Sequence, residues 1–144
     1  MRSDSTLVIN WFKPDIEDER WEFFNHPAKQ EWYLNYSVTW EQIVSCFKSG
    51  TLCKYPRSSK IGEIPVALSY HSYEEYQTWL AKAKRGYRKS YSKMEDALQA
   101  AGELNLPAPI ILVHNGDAIL FSGYRRLCLA WNYGMIPYVW LVEI

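Results

Sequence analysis

Two adjacent arginines, Arg125 and Arg126, stand at the start of a helical stretch, one residue after Ser122-Gly123. A helix N-terminus carries partial positive charge, so each cation there is disfavoured by a few tenths to roughly 1 kcal/mol. An anion is favoured at the same place. Backbone N–H groups, a glycine that lets the chain come close, and guanidinium forks can converge on a phosphate. Ser122, Gly123, Arg125 and Arg126 are therefore candidate phosphate ligands. The competing reading is structural: the arginines are solvated, or paired with the acidic N-terminal region.

A second cationic feature runs from Lys82 to Lys93 and contains no acidic residue. Lys84, Arg85, Arg88 and Lys89 could neutralise phosphates, and Tyr87 and Tyr91 are interleaved with them as rings on which bases could stack. An exposed linker between two helices accounts for the same composition. The stretch Lys54–Lys60 adds three cations. Carboxylates near the glycine are few. Asp117 follows an Asn-Gly pair and reads first as a turn residue; Glu74, Glu75, Glu95 and Asp96 sit where helix starts would use them. His71, between an expected strand and an expected helix cap, is a candidate site-lining residue, as are Tyr124 and Asp117. His26, His71 and His114 share no metal-ligand spacing.

These residues need elements to hold them. Ile110–His114 and Ala118–Phe121 are apolar runs around Asn115-Gly116, the pair that suits a tight hairpin because both turn positions need positive φ. A helix is expected over Tyr124–Tyr133, with Leu127, Ala130 and Trp131 on one face, ended by Gly134. Tyr138–Val142 reads as a strand buried on both faces. Upstream, Thr6–Trp11 and Ile64–Leu68 read as strands, and Asp15–Phe24 and Ala28–Tyr36 as helices, the latter with Pro27 at its first position. Thr39-Trp40-Glu41-Gln42, Ser72-Tyr73-Glu74-Glu75 and Ser92-Lys93-Met94-Glu95 each match the capping-box pattern. The third is followed by Met94, Ala97, Leu98, Ala101 and Leu104 at helical spacing.

Hairpin, Gly123-Tyr124-Arg125-Arg126 opening a helix, glycine, final strand: this order resembles the core of the ParB/sulfiredoxin superfamily over about Met94–Ile144. ParB proteins carry Gly-Glu-Arg-Arg at this place and sulfiredoxin Gly-Cys-His-Arg. The resemblance implies a nucleotide-phosphate loop and, as a cofactor, a nucleoside triphosphate with magnesium. Members include CTP-binding partition proteins, small nucleases, a free-serine kinase and sulfiredoxin. Tyr124 departs from the pattern. It can supply neither the glutamate linked to metal–nucleotide binding nor a reactive thiol, so metal-assisted chemistry would need a carboxylate from elsewhere.

Composition narrows the rest. One chain of 144 residues fits one domain, read as an accessory N-terminal layer over 1–60 and a core over 61–144. Sixteen basic and sixteen acidic residues give no global pull towards nucleic acid. Seven Trp and eleven Tyr exceed what a small core needs, which places some rings at a surface. Three cysteines with no CxxC or Cys/His cluster argue against a disulfide framework and a structural zinc site. No leader pattern and no apolar run of about 18 residues is present, so no membrane partner and a cytoplasmic location are expected.

The expected architecture is α/β (α+β), a small mixed sheet covered by helices with an N-terminal helical extension. The leading expectation for function is binding of a nucleotide or nucleic-acid phosphate by the Gly-x-Arg-Arg loop. Two alternatives stand beside it: a metal-dependent nuclease or nucleotide-dependent phosphotransferase, and a phage or mobile-element protein that binds another protein on an inherited scaffold.

Overall fold

The computed structural model describes residues 6–25, 27–55 and 88–144; at 27, 28 and 88–90 the description covers the backbone alone. The chain order is β1 (Val8–Phe12), a 3-10 turn (Ile16–Glu19), α1 (Arg20–Phe24), α2 (Pro27–Asn35), α3 (Trp40–Phe47) and β2 (Thr51–Lys54). After residue 87 come α4 (Arg88–Ala101), β3 (Glu103–Pro107), β4 (Ile110–His114), β5 (Asp117–Ser122), α5 (Tyr124–Asn132) and β6 (Tyr138–Glu143). The strand expected at Ile64–Leu68 and the capping box at Ser72 lie outside the described residues.

The expected α/β architecture is present. Four strands form a mixed sheet in the order β2-β6-β4-β5. β4 and β5 are an antiparallel hairpin, β4 and β6 are parallel, and β2 closes antiparallel on β6. Asn115 and Gly116 both have positive φ, 49° and 84°, as the hairpin turn requires. A bulge between Ile110 and Ile111 interrupts the β4–β5 register just before the Ser122 end.

Side chains alternate across the sheet with period two. Ile111, Val113, Ala118, Leu120 and Val139 join one buried cluster with Tyr91 and Leu98 of α4 and Leu127, Cys128 and Trp131 of α5. Ile110, Leu112, Ile119, Phe121, Trp140 and Val142 join a second with Tyr33, Trp40, Ile43 and Phe47 from the N-terminal helices. The sheet is thus covered on both faces. β6 carries buried Val139, Trp140 and Val142, as expected for a strand packed on both sides, although Tyr138 at its start is exposed.

Several expectations are corrected. β1 pairs in parallel with β3 in a separate two-stranded sheet instead of joining the main one. β3 and β2 had no expected counterpart. Leu104 lies in β3, because Gly102, at φ 76°, ends α4 first; its N–H still bonds the Leu98 carbonyl at 2.7 Å. Ser92 caps nothing, since α4 runs through it from Arg88. Tyr91 is not a surface ring. It is buried in the core, where Asn132 donates to its hydroxyl and that hydroxyl donates to Glu95 at 3.2 Å. Both strands of the N-terminal half, β1 and β2, pair with strands of the C-terminal half.

Other local expectations hold. The Thr39 hydroxyl accepts from the Gln42 N–H at 3.2 Å and the Gln42 side chain accepts from the Thr39 N–H at 3.3 Å, a complete capping box. Asp15 caps the 3-10 turn by accepting from the Glu17 N–H at 3.0 Å.

Candidate functional site

The Ser122–Arg126 loop joins β5 to α5 as expected. Gly123 occupies the N-cap position at φ 97°, in the left-handed region, and no side chain caps the helix. A Cβ at Gly123 would lie 2.6 Å from the Pro109 Cα and 2.7 Å from its Cβ, so the missing side chain lets this turn lie against the start of β4. The glycine therefore has a packing role whether or not a ligand approaches.

The two arginines diverge. Arg126 donates through Nη1 to the Pro107 carbonyl at 2.7 Å and through Nη2 to the Glu19 carboxylate at 2.8 Å. The pair is largely removed from solvent, with side chains 13 % and 16 % exposed. One guanidinium thus links three pieces of chain: the end of β3, the end of the 3-10 turn and the first turn of α5. This is the structural alternative raised from the sequence, pairing with the acidic N-terminal region, and it holds for Arg126. Arg125 is exposed on the same turn.

Ser122 is 2 % exposed, and its hydroxyl has no hydrogen-bond partner among the described residues. Tyr124 is half-buried and packs against the α4–α5 side of the core. Asp117 lies at the opposite end of β5, five residues or about 17 Å along the strand from Ser122. There it accepts from the Tyr36 hydroxyl, and the Tyr36 ring lies 4.6 Å from that of His114. Asp117 and the loop are therefore not brought together.

His71, Lys84, Arg85 and Tyr87 lie outside the described residues. Arg88 and Lys89 open α4. Contacts of Tyr91 with Asn132, and of Glu95 with Tyr133 at 3.0 Å, set the start of α4 beside the end of α5. The basic start of α4 and the arginine loop thus sit towards opposite ends of α5, roughly 13 Å apart for nine residues.

One further residue lies beside the loop. Lys29, on α2, is 7 % exposed and donates to the Phe121 carbonyl at 2.9 Å, one residue before Ser122. Burial pushes its pKa down to about 8, opposed by the neighbouring Glu22 carboxylate. Tyr33, one helical turn on, is buried with its hydroxyl unpartnered among the described residues. Its pKa is raised well above the usual phenol value, first by burial and then by Glu22. The only sequence signal for Lys29 was its spacing: Lys29, Trp32 and Tyr33 fall at i, i+3 and i+4 on a helix.

Among the described residues, no group of three or more His, Cys, Asp or Glu side chains is arranged to hold a metal ion. Comparison with family models, with curated proteins and with solved structures finds no match. Among the described residues no helix is long and apolar enough to cross a membrane.

Proposed function

We propose that the chain binds a phosphate-bearing ligand, a nucleotide or a nucleic acid, at the loop Ser122–Arg126, and that it does so without chemistry. Arg125 makes the contact; Arg126 holds the loop in place. The observation that carries this reading is an exposed arginine on the first turn of a helix opened by a left-handed glycine and capped by no side chain. A cation costs stability at that position, whereas a bound anion there interacts with both the dipole and the guanidinium. The likeness of Gly123-Tyr124-Arg125-Arg126 to the ParB/sulfiredoxin loop supports the same reading.

A thermal-shift screen with ATP, CTP, ADP and DNA, with and without magnesium, tests it. Stabilisation is expected in the wild type and lost in Arg125→Ala. Stabilisation that persists in Arg125→Ala removes the proposed contact.

The enzymatic alternative, a nuclease or phosphotransferase using a magnesium nucleotide, needs an acidic ligand beside the phosphate. The carboxylate that reaches the loop through Arg126, Glu19, is engaged by that arginine. A gain that requires magnesium would move the reading to the enzyme. The protein-binding alternative is favoured by a separate observation. Trp21, Phe24 and Leu34 of the N-terminal helices are 60 %, 54 % and 78 % exposed, more apolar surface than a folded chain needs to show there. No response to any phosphate compound would favour that alternative.

A further inference from the structure

The buried side of the Ser122 turn carries polar groups that the fold itself leaves unmet. Lys29 offers three N–H donors and, among the described residues, gives one of them to the Phe121 carbonyl. The hydroxyls of Tyr33 and Ser122 are buried with no partner among the described residues. Lys29, Trp32 and Tyr33 share one stretch of α2, and Ser122 follows the residue whose carbonyl Lys29 grips. Tyr33 packs within 6.5 Å of the Phe121 ring, and Glu22 acts electrostatically on both Lys29 and Tyr33. An ammonium removed from water with one neutral hydrogen-bond acceptor is costly, and the Glu22 carboxylate offsets that only in part; each unmet hydroxyl adds about 1–3 kcal/mol. A bound ion is one of the ways in which such groups are met.

We propose that Lys29, Tyr33 and Ser122 form a buried receptor for one oxyanion group, a carboxylate or phosphate on a small ligand, behind the Ser122–Arg126 loop. The oxyanion accepts from the Lys29 ammonium and from both hydroxyls, and its negative charge pairs with the only buried lysine of the described residues. The donor set is a lysine and a tyrosine from α2 and a serine from β5, so the receptor exists only when helix and sheet are packed together. The inference deepens the reading of the loop as a phosphate site, because Ser122 belongs to both, yet its cationic residue is different.

Inorganic phosphate and acetate, titrated separately into the full chain at pH 7 and at constant ionic strength, test it by thermal shift and by the chemical shift of the Lys29 side chain. Saturable stabilisation is expected, weakened about tenfold or more in Lys29→Met and in Ser122→Ala. Phosphate and acetate arms that respond alike identify any oxyanion as the ligand group; a response to phosphate alone identifies phosphate. Lys29→Met replaces a buried charge by an apolar side chain of similar length, and Ser122→Ala keeps the loop, so an unfolded Lys29→Met still leaves a readable variant. Loss in these variants but not in Arg125→Ala supports the receptor and refutes the loop contact. Loss in Arg125→Ala alone supports the loop and refutes the receptor. No saturable response to either anion refutes the receptor and assigns internal water to the unmet hydroxyls.

Discussion

Arg126 and Glu19 are 107 positions apart in the chain, and their side chains meet at 2.8 Å. The same guanidinium holds the Pro107 carbonyl at 2.7 Å. The pair is a brace between the N-terminal layer and the turn into α5, and it divides the labour of the two arginines. Removing one partner leaves a largely buried charge without its mate, which is expensive. Arg126→Ala is expected to lower unfolding stability by about 2–4 kcal/mol and Glu19→Gln by about 1–2 kcal/mol. In urea unfolding the double variant is expected to lose less than the sum of the two.

Arg125→Ala is expected to cost much less. It removes an exposed cation from a helix N-terminus, and contacts of an exposed charge contribute little, so stability should stay within about 1 kcal/mol of wild type. A drop comparable to that of Arg126→Ala would show that Arg125 is a second brace.

Gly123→Ala meets two obstacles together: a left-handed φ of 97° and the backbone of Pro109 at 2.6 Å from the new Cβ. A loss of about 2–4 kcal/mol is expected, against about 1 kcal/mol for a left-handed glycine in open space. Gly134→Ala, where a Cβ at φ 70° meets nothing within 4 Å, is the control, and calorimetric melting compares the two.

Lys29 makes stability depend on pH. Its folded pKa of about 8 lies below its ordinary 10.5, so between those values the unfolded chain holds a proton that the folded chain has released. Stability therefore rises with pH across that window, by up to about 3 kcal/mol from this group. The raised pKa values of Cys53, Tyr33, Tyr36 and Tyr91 act in the opposite sense, their stability being lost above pH about 9–10 as the unfolded thiol and phenols ionise. The difference between wild type and Lys29→Met isolates the lysine. Urea midpoints from pH 7 to 10 should rise relative to the variant.

Tyr91→Phe is expected to cost about 1–2 kcal/mol, because the phenol links Asn132 to Glu95 within the core. Binding of single-stranded DNA should be unchanged, which a fluorescence titration checks; a loss would return Tyr91 to the role of a stacking surface.

What the sequence disclosed was local. Asn115-Gly116, the Thr39 box and Gly123 before a helical run are rules that act within a few residues, and each stands in the structure. Leu104 shows the limit. It continues the helical spacing of Leu98 and Ala101, yet Gly102 turns the backbone first, and a parallel partner at Ile9 makes the segment a strand. Ser92-x-x-Glu95 failed for a related reason: the pattern is identical inside a helix, and only the preceding backbone distinguishes the two. The site divided along the same line. That a glycine and two arginines open α5 was legible, but the partner of Arg126 is a hundred residues away and no periodicity points to it. Lys29 was less legible still, since a lysine reads as solvent-facing until Phe121 is seen to cover it.

The pairing of β1 with β3 joins positions 95 apart, as the contact between Asn10 and Asn105 illustrates. β2 meets β6 over a similar span, with the Trp140 indole donating to the Phe47 carbonyl 93 positions away. The β4–β5 hairpin closes across two residues. Assembly is therefore expected to begin at the hairpin and α5, with the outlying strands recruited late, after large loops have closed at entropic cost. A chain that has not yet docked its first fifty residues would leave Phe121 and Ile119 uncovered, and that half-built sheet is the species a holdase chaperone would meet.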